Sequence, residues 1–412
     1  MKSLAATTKG RRLLFFLLYI SEGAPIGFIW WTLPTLMKTA GVDTADIAEL
    51  SALLVIPWTL KIFWAPAVDV LQFKKWNLRM TIAVCQIIMG LTILPLAFMD
   101  LGTQLGWVKI ILLVHALFAA TQDVAIDAWA IKTTDPSEHG RINGYMQMGM
   151  LTGRWIFASG FLLLSSVLST TLVVFSLASV IWLLVLVVLF NPDPSLTVAL
   201  PRSFKDRFFD FHKNIWQVFT RKRTWAGLAF AGVAGTGLHA TTAVLGPYFM
   251  EKGLAETALS HFFTFNLVTL FIGSYLGGIA ADRFGHRKST GYFLVLIAAI
   301  AFVISGADHF IKAGDSQLYL LYGLFQLMHF AIGLFTASSY AMLMDLTDKD
   351  VSATQYSAYM GAVNACESWT GYSFAAAYRS TSSYAFSFSL FAALSLLGLL
   401  ILPILRRLKA NR

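Results

Sequence analysis

Twelve stretches of this chain are each too long and too apolar to be left in water. An α-helix rises 1.5 Å per residue, so about 20 mostly apolar residues cross the roughly 30 Å hydrocarbon core of a bilayer. Such runs fall at 13–37, 45–71, 78–99, 107–133, 141–166 and 168–190, then at 225–250, 257–281, 289–311, 317–344, 352–377 and 383–405. Composition agrees, with 57% hydrophobic and 13% charged residues, against about 25% charged in soluble domains. The expected fold class is an all-α membrane protein of twelve transmembrane helices in two six-helix bundles. The expected domains are 1–190, a cytoplasmic linker at 191–224, and 225–412. The first run is too long for the apolar core of a signal peptide and ends in no small-residue cleavage site, so it reads as a retained helix.

The formal charge of +9 could suggest nucleic acid, but the placement of the charges argues otherwise. If both termini are cytoplasmic, the inner side carries Lys2, Lys9, Arg11, Arg12, Lys74, Lys75, Arg79, Lys132, Arg141, the cluster from Arg202 to Arg223, Arg283, Arg287, Lys288, Lys349 and the tail from Arg406 to Arg412. The outer side carries only Lys38, Lys109, Lys252, Lys312 and Arg379. That asymmetry follows the positive-inside rule, and the basic charge then needs no nucleic acid. The linker opens with a helix stop, "NPDPS". It continues with Phe204, Phe208, Phe211, Ile215 and Phe219 at helical spacing between basic residues. This pattern predicts an amphipathic helix on the inner membrane surface, with lipid as its partner. Cys85 and Cys366 have no metal-ligand spacing or disulfide framework around them.

Six helices, a basic linker and six more helices form the plan of two-half secondary transporters, whose binding sites lie near the bilayer midplane. After the eighth run comes "GGIAADRFGHRKS", in which Gly278, Asp282, Arg283, Gly285, Arg287 and Lys288 match G-x-x-x-D-R-x-G-x-R-K. This is similar to the cytoplasmic-loop signature of the major facilitator superfamily, so the expected architecture is the major facilitator fold. Gly278 suits close helix packing and Gly285 a tight turn, and Asp282 can sit against the positive end of a neighbouring helix. These residues are expected to form a gating latch. The first half has a worn copy, "WAPAVDVLQFKKW", in which Asp69 matches Asp282, Ala65 stands at the glycine position and Val70 replaces Arg283. Both halves having the motif in register supports an internal repeat.

Further stretches narrow the resemblance. "SEGAPIGF", "PWTLKIFWAPAVD" (57–69), "ATQDVAIDAW" (120–129) and "SATQYSAYMGAVNA" (352–365) resemble signatures of the AmpG-like permeases. That family includes importers of muropeptides, acetyl-CoA transporters and importers of ferric siderophores. The resemblance implies inward carriage of a bulky polar or anionic solute with protons, across a bacterial inner membrane. The leading solutes are a muropeptide or a ferric siderophore. An acetyl-CoA-type solute, an uncoupled facilitator and a transporter-derived sensor are the alternatives. Glu367 stands where a basic residue is expected in the muropeptide branch.

Charges inside the apolar runs mark the candidate site, because intramembrane charges are costly and seldom idle. Counted at 1.5 Å per residue, Glu22 lies about 15 Å into its run, Lys61 and Arg154 about 20 Å, and Glu367 about 22 Å. Lys61 and Arg154 suit an anionic solute group, the guanidinium by a two-bond grip. Glu22, Asp123 and Asp127 are the candidate proton carriers, the last two on one helix face. Gly23 and Pro25 are expected to let the first helix bend around the solute. Trp31 and Trp129 are candidates for stacking on it. Pairing of these charges with one another, as fixed structural elements, is the competing reading. His115, His239 and His329 have no partner at ligand spacing, so neither a metal nor any cofactor is expected beyond the proton as coupling ion. "GMLTG" (149–153) and "GSYLG" (273–277) predict close helix packing. There is no H-E-x-x-H, nucleophile elbow or phosphate loop, so the chain is read as a transporter and not as an enzyme; a monomer is the expected state.

Overall fold

The computed structural model describes residues 3–72, 76–160, 169–192, 204–242, 244–254, 256–311 and 318–407. Lys2, Lys74, Lys75, Arg202, Lys312, the helix stop beyond Pro192, the fifth run beyond Gly160 and the tail beyond Arg407 lie outside them. The chain divides into two compact units. The first comprises Met1–Asp135, Tyr145–Ile215 and Thr347–Ser357, and the second Pro136–Gly144, Trp216–Leu346 and Ala358–Arg412.

The helices of the first half are α1 (Thr8–Gly27), α2 (Leu33–Thr39), α3 (Thr44–Leu60), α4 (Ala65–Val70), α5 (Leu78–Ile93), α6 (Leu105–Thr133), α7 (His139–Trp155) and α8 (Thr170–Phe190). Then come α9 (Phe204–Thr220), α10 (Lys222–Val233), α11 (Thr236–Thr242), α12 (Leu245–Glu251) and α13 (Glu256–Phe284). The chain closes with α14 (His286–Phe310), α15 (Leu318–Leu346), α16 (Ser352–Thr381), α17 (Tyr384–Ser395) and α18 (Leu397–Arg407). Nine spans among the described residues are long and apolar enough to cross a membrane. The expected runs 2, 5 and 11 are helical too, as α3 with α4, α7, and α16, but they carry more polar residues. Side-chain oxygens of Thr7, Asp43, Asn77, Ser169 and Ser383 accept backbone N–H groups at the starts of α1, α3, α5, α8 and α17.

Apolar residues form a core in each unit. Phe28, Leu54, Met89, Leu112, Phe157 and Leu177 anchor the first. Phe249, Phe262, Phe325, Phe374 and Phe388 are among the aromatics of the second. Small residues bring helices together, as expected of the two small-x-x-x-small runs. In the first unit Gly149 of α7 faces the Phe16 carbonyl of α1, and Gly153 faces Ile20 and Ala24. In the second, Gly273 and Gly277 of α13 pack on Phe330 and Leu334 of α15.

Gly23 and Pro25, expected to let the first helix bend, both lie inside it. α1 runs on through Gly23 and Pro25, and a widened turn follows at Phe28–Thr32. Gly23 instead lets α1 press against the Met150 backbone, where any Cβ would clash. The expected linker helix exists as α9, with Phe208, Phe209 and Trp216 exposed and Phe211 and Val218 buried.

Several equivalent features of the two halves stand at the same shift. Asp282 follows Asp69 by 213 residues (282 − 69), and the same shift relates the starts of α15 and α6 (318 − 105) and of α16 and α7 (352 − 139). Even the short turns at Pro136–Glu138 and Lys349–Val351 keep it (349 − 136 = 213).

A buried charge cluster and two capped helices

Lys61 sits where the second span breaks. Pro57 has no N–H to give, α3 ends at Leu60, and a tight turn at Lys61–Phe63 leads on to α4. The Lys61 ammonium is buried and pairs with the Asp123 carboxylate of α6. Tyr19 of α1, also buried, donates its hydroxyl to Asp127 at 2.6 Å and stands 3.5 Å from Asp123. Four residues separate the two aspartates, so α6 presents both to the same neighbours. Glu22, one turn beyond Tyr19, accepts from the Trp58 indole and from the Gln122 amide, each at 3.2 Å. Gln122 and Gln86 also donate to the Ser21 hydroxyl, at 3.1 and 3.0 Å. Glu22 lies within electrostatic range of Lys61, Asp123 and Asp127. The first unit thus holds three carboxylates and one ammonium from spans 1, 2 and 4, ringed by neutral hydrogen-bond donors.

Of the expected site residues, the structure brings Glu22, Lys61, Asp123 and Asp127 into this cluster. Arg154 is half-buried on α7, its backbone pressed against Gly27 of α1. Trp31 is 48% exposed. Trp129 is fully enclosed, edge-on to Phe15 at 5.8 Å between ring centres, and offers a solute no face. Glu367 is exposed on α16. Tyr19 and Gln122 were not foreseen: each is uncharged, and spacing along one run gives no sign of a partner on another.

The loop motifs do the same job twice. Asp282 accepts the backbone N–H groups of Gly140 (2.7 Å) and Arg141 (3.1 Å), at the start of α7, within the second unit. Asp69 accepts those of Ala353 (3.1 Å) and Thr354 (2.8 Å), at the start of α16, within the first. The capped pairs are themselves 213 apart (353 − 140, 354 − 141). A carboxylate here satisfies orphan donors and faces the positive end of the helix dipole. Gly285 turns the chain at φ +94° into α14, a backbone region open to glycine. Gly278 lets α13 approach the Gly140 carbonyl. Arg283 stacks over Phe284, while Arg287 and Lys288 line a cavity of about 460 Å³ with Asp282, His286 and Asp345. Two histidines join the contacts around Asp282 and Asp345. His286 lies between Asp282 (3.1 Å) and Asp345 (2.7 Å), and His139 lies 2.9 Å from Asp345.

Removing either cap should be felt in stability. Asp282→Ala and Asp69→Ala are each expected to lower unfolding stability by about 1–2 kcal/mol, and the Asn variants by less. Thermal unfolding of the purified variants checks this. Ala variants as stable as the wild type would mean that the caps carry no load.

The sequence matches the Major Facilitator Superfamily over residues 13–260 and 233–411. The chain belongs to that superfamily, a family of membrane transporters with two helical bundles, and within it is AmpG-like. It is 24% identical over 371 residues to the anhydromuropeptide permease of Escherichia coli K12, covering 84% of this chain and 70% of that one. It is 21% identical over 362 residues to the Rickettsia conorii protein designated AmpG 4, covering 85% and 86%. The fold is similar to that of the E. coli fucose:proton symporter (TM-score 0.71, 13% identity, 98% and 99% covered) and of the human organic anion transporter MFSD10 (0.70, 12%, 95% and 98%).

Proposed function

We propose that this transporter imports a bulky polar or anionic solute, of the muropeptide or ferric-siderophore type, by proton symport with alternating access. The Lys61–Asp123 pair supports the reading. An anionic solute group that takes Lys61 leaves Asp123 a buried charge without its partner, which the membrane interior tolerates poorly. A proton on the carboxylate resolves that, so solute and proton each favour the other's binding, and the coupling is reciprocal. Glu22 and Asp127 are the further proton carriers. Arg154 extends the anion grip, and the two capped helices serve as latches. Trp31 and Glu367 are read as outlying solute contacts, and Trp129 as packing. The name of the E. coli relative favours a muropeptide. The chain would lie in a bacterial inner membrane as a monomer with both termini cytoplasmic and no cofactor. The exposed aromatics of α9 would rest on lipid.

A facilitator is the second reading, favoured by how completely the Lys61–Asp123 pair satisfies itself. Uptake into proteoliposomes with an imposed inward proton gradient separates the two. The panel is an anhydro-muropeptide, a ferric siderophore and acetyl-CoA, tested on wild type and Glu22→Gln. Gradient-driven uptake of one compound, reduced at least tenfold in the variant, is expected. Uptake that ignores the gradient and survives Glu22→Gln would leave a facilitator.

A further inference from the structure

His286 presents both of its ring nitrogens to carboxylates. Nδ1 lies 2.7 Å from Asp345, and Nε2 lies 3.1 Å from Asp282. An ionised carboxylate only accepts, so both nitrogens must carry protons and the ring is an imidazolium. Asp345 uses its other oxygen to accept from His139 Nδ1 at 2.9 Å. His139 is buried, and its Nε2 has no hydrogen-bond partner among the described residues. A proton there would be an enclosed charge without an acceptor, so His139 donates as the neutral ring. The four groups form one chain, Asp282–His286–Asp345–His139, within the second unit. It ties the end of α15 to the turn between α13 and α14 and to the start of α7.

The charged groups beside this chain are basic. Arg141 stands 3.5 Å from Asp282, and Arg223 donates to the Asp345 backbone carbonyl at 2.7 Å. Arg287 and Lys288 line the same cavity as Asp282, His286 and Asp345. Arginine keeps its proton at any pH a cell meets, whereas imidazole can give its proton up. A neutral His286 has one donor nitrogen left. The other then turns a lone pair on a carboxylate oxygen, and that contact opens. The positions around Asp69 that match at the 213-residue shift hold no imidazole. Asp345, His286 and His139 fall there on Lys132, Phe73 and Ser352 (345 − 213, 286 − 213, 139 + 213).

Resting on the gating role and the orientation proposed above, we infer that this chain is a pH-sensitive clasp on the cytoplasmic side: the His286 imidazolium holds the end of α15 to Asp282, and its deprotonation releases that end. His139 is the fixed anchor, and His286 is the part that switches. One of the two caps thus answers to cytoplasmic pH and the other does not. An acid interior keeps the clasp shut and an alkaline one frees it, so a transporter that carries protons inward is restrained by the acid it delivers.

Thiol labelling of the full-length protein in lipid tests this. Met342 of α15 is buried and lines the cavity beside the clasp. A Met342→Cys reporter, with Cys85 and Cys366 replaced by alanine, is labelled with a maleimide in three forms: His286 as in the wild type, His286→Gln, which is never charged, and His286→Arg, which always is. Comparing forms at one pH cancels the thiol's own titration. At about pH 6.5 the His286 and His286→Arg forms should label about tenfold more slowly than His286→Gln. At about pH 9.5 the His286 form should label as fast as His286→Gln, with His286→Arg still slow. A His286 form that keeps one ratio to His286→Gln at both pH values would mean that no clasp opens. Fast labelling of His286→Arg at the lower pH would mean that charge at this position holds nothing. Either result overturns the inference. The labelling needs no solute, so a failure of the transport reading shows separately, as wild type that moves no cargo.

Discussion

Asp123→Asn is expected to abolish gradient-driven uptake and to destabilise the protein by about 3–5 kcal/mol, because it leaves the Lys61 ammonium buried against a neutral amide. Two effects combine. The partner charge is lost, and a carboxylate that could carry a proton is gone. They separate in a cycle with Lys61→Met. The double variant removes this ion pair whole, so thermal unfolding should recover part of the loss, with the Glu22 and Asp127 carboxylates still buried beside it. Transport should not return with it, since neither the anion grip nor the proton site remains. A double variant that regains gradient-driven uptake would place coupling elsewhere, with Glu22 and Asp127 the remaining carboxylates.

The second large effect belongs to Trp129. Its indole is wholly enclosed and meets Phe15 edge-on. Trp129→Ala should therefore lower stability by about 3–5 kcal/mol. Trp129→Phe, which keeps an aromatic face for Phe15, should lose less and should leave the KM for the transported solute as it was. Thermal unfolding and uptake kinetics on the same preparations report both. A tenfold rise in KM for the stable Phe variant would return Trp129 to the solute pathway.

The contrast between Trp129 and Tyr19 marks how far the sequence could be read. Apolar length identifies a span because the bilayer thickness sets it, and a charge within a span stands out because hydrocarbon makes it costly. Glu22, Lys61, Asp123 and Asp127 were legible for that reason. Depth follows from counting residues, but the direction in which a side chain points around its helix does not. Nothing in "LYISEG" says that Tyr19 meets Asp127, which is 108 positions away. Trp129 had the right depth and the wrong face. Gly23 was read as a hinge because it neighbours Pro25, whereas its missing side chain is used to admit the backbone of α7. Asp282 was placed correctly against a helix start, because a carboxylate's preference for backbone N–H is local chemistry. Its companions His286, His139 and Asp345 were not foreseen, since they gather from three helices.

The twin caps also bear on how such a protein can change over generations. Asp69 and Asp282 each grip main-chain N–H groups, which every residue but proline supplies. Their targets could therefore drift, to Gly140 and Arg141 in one copy and to Ala353 and Thr354 in the other, without loosening the joint. That tolerance gives a physical reason why the first copy of the motif could exchange its glycine for Ala65 and its arginine for Val70 and still keep its aspartate. After a duplication, the part that reads backbone is inherited intact, and the parts that read side chains are left free to specialise.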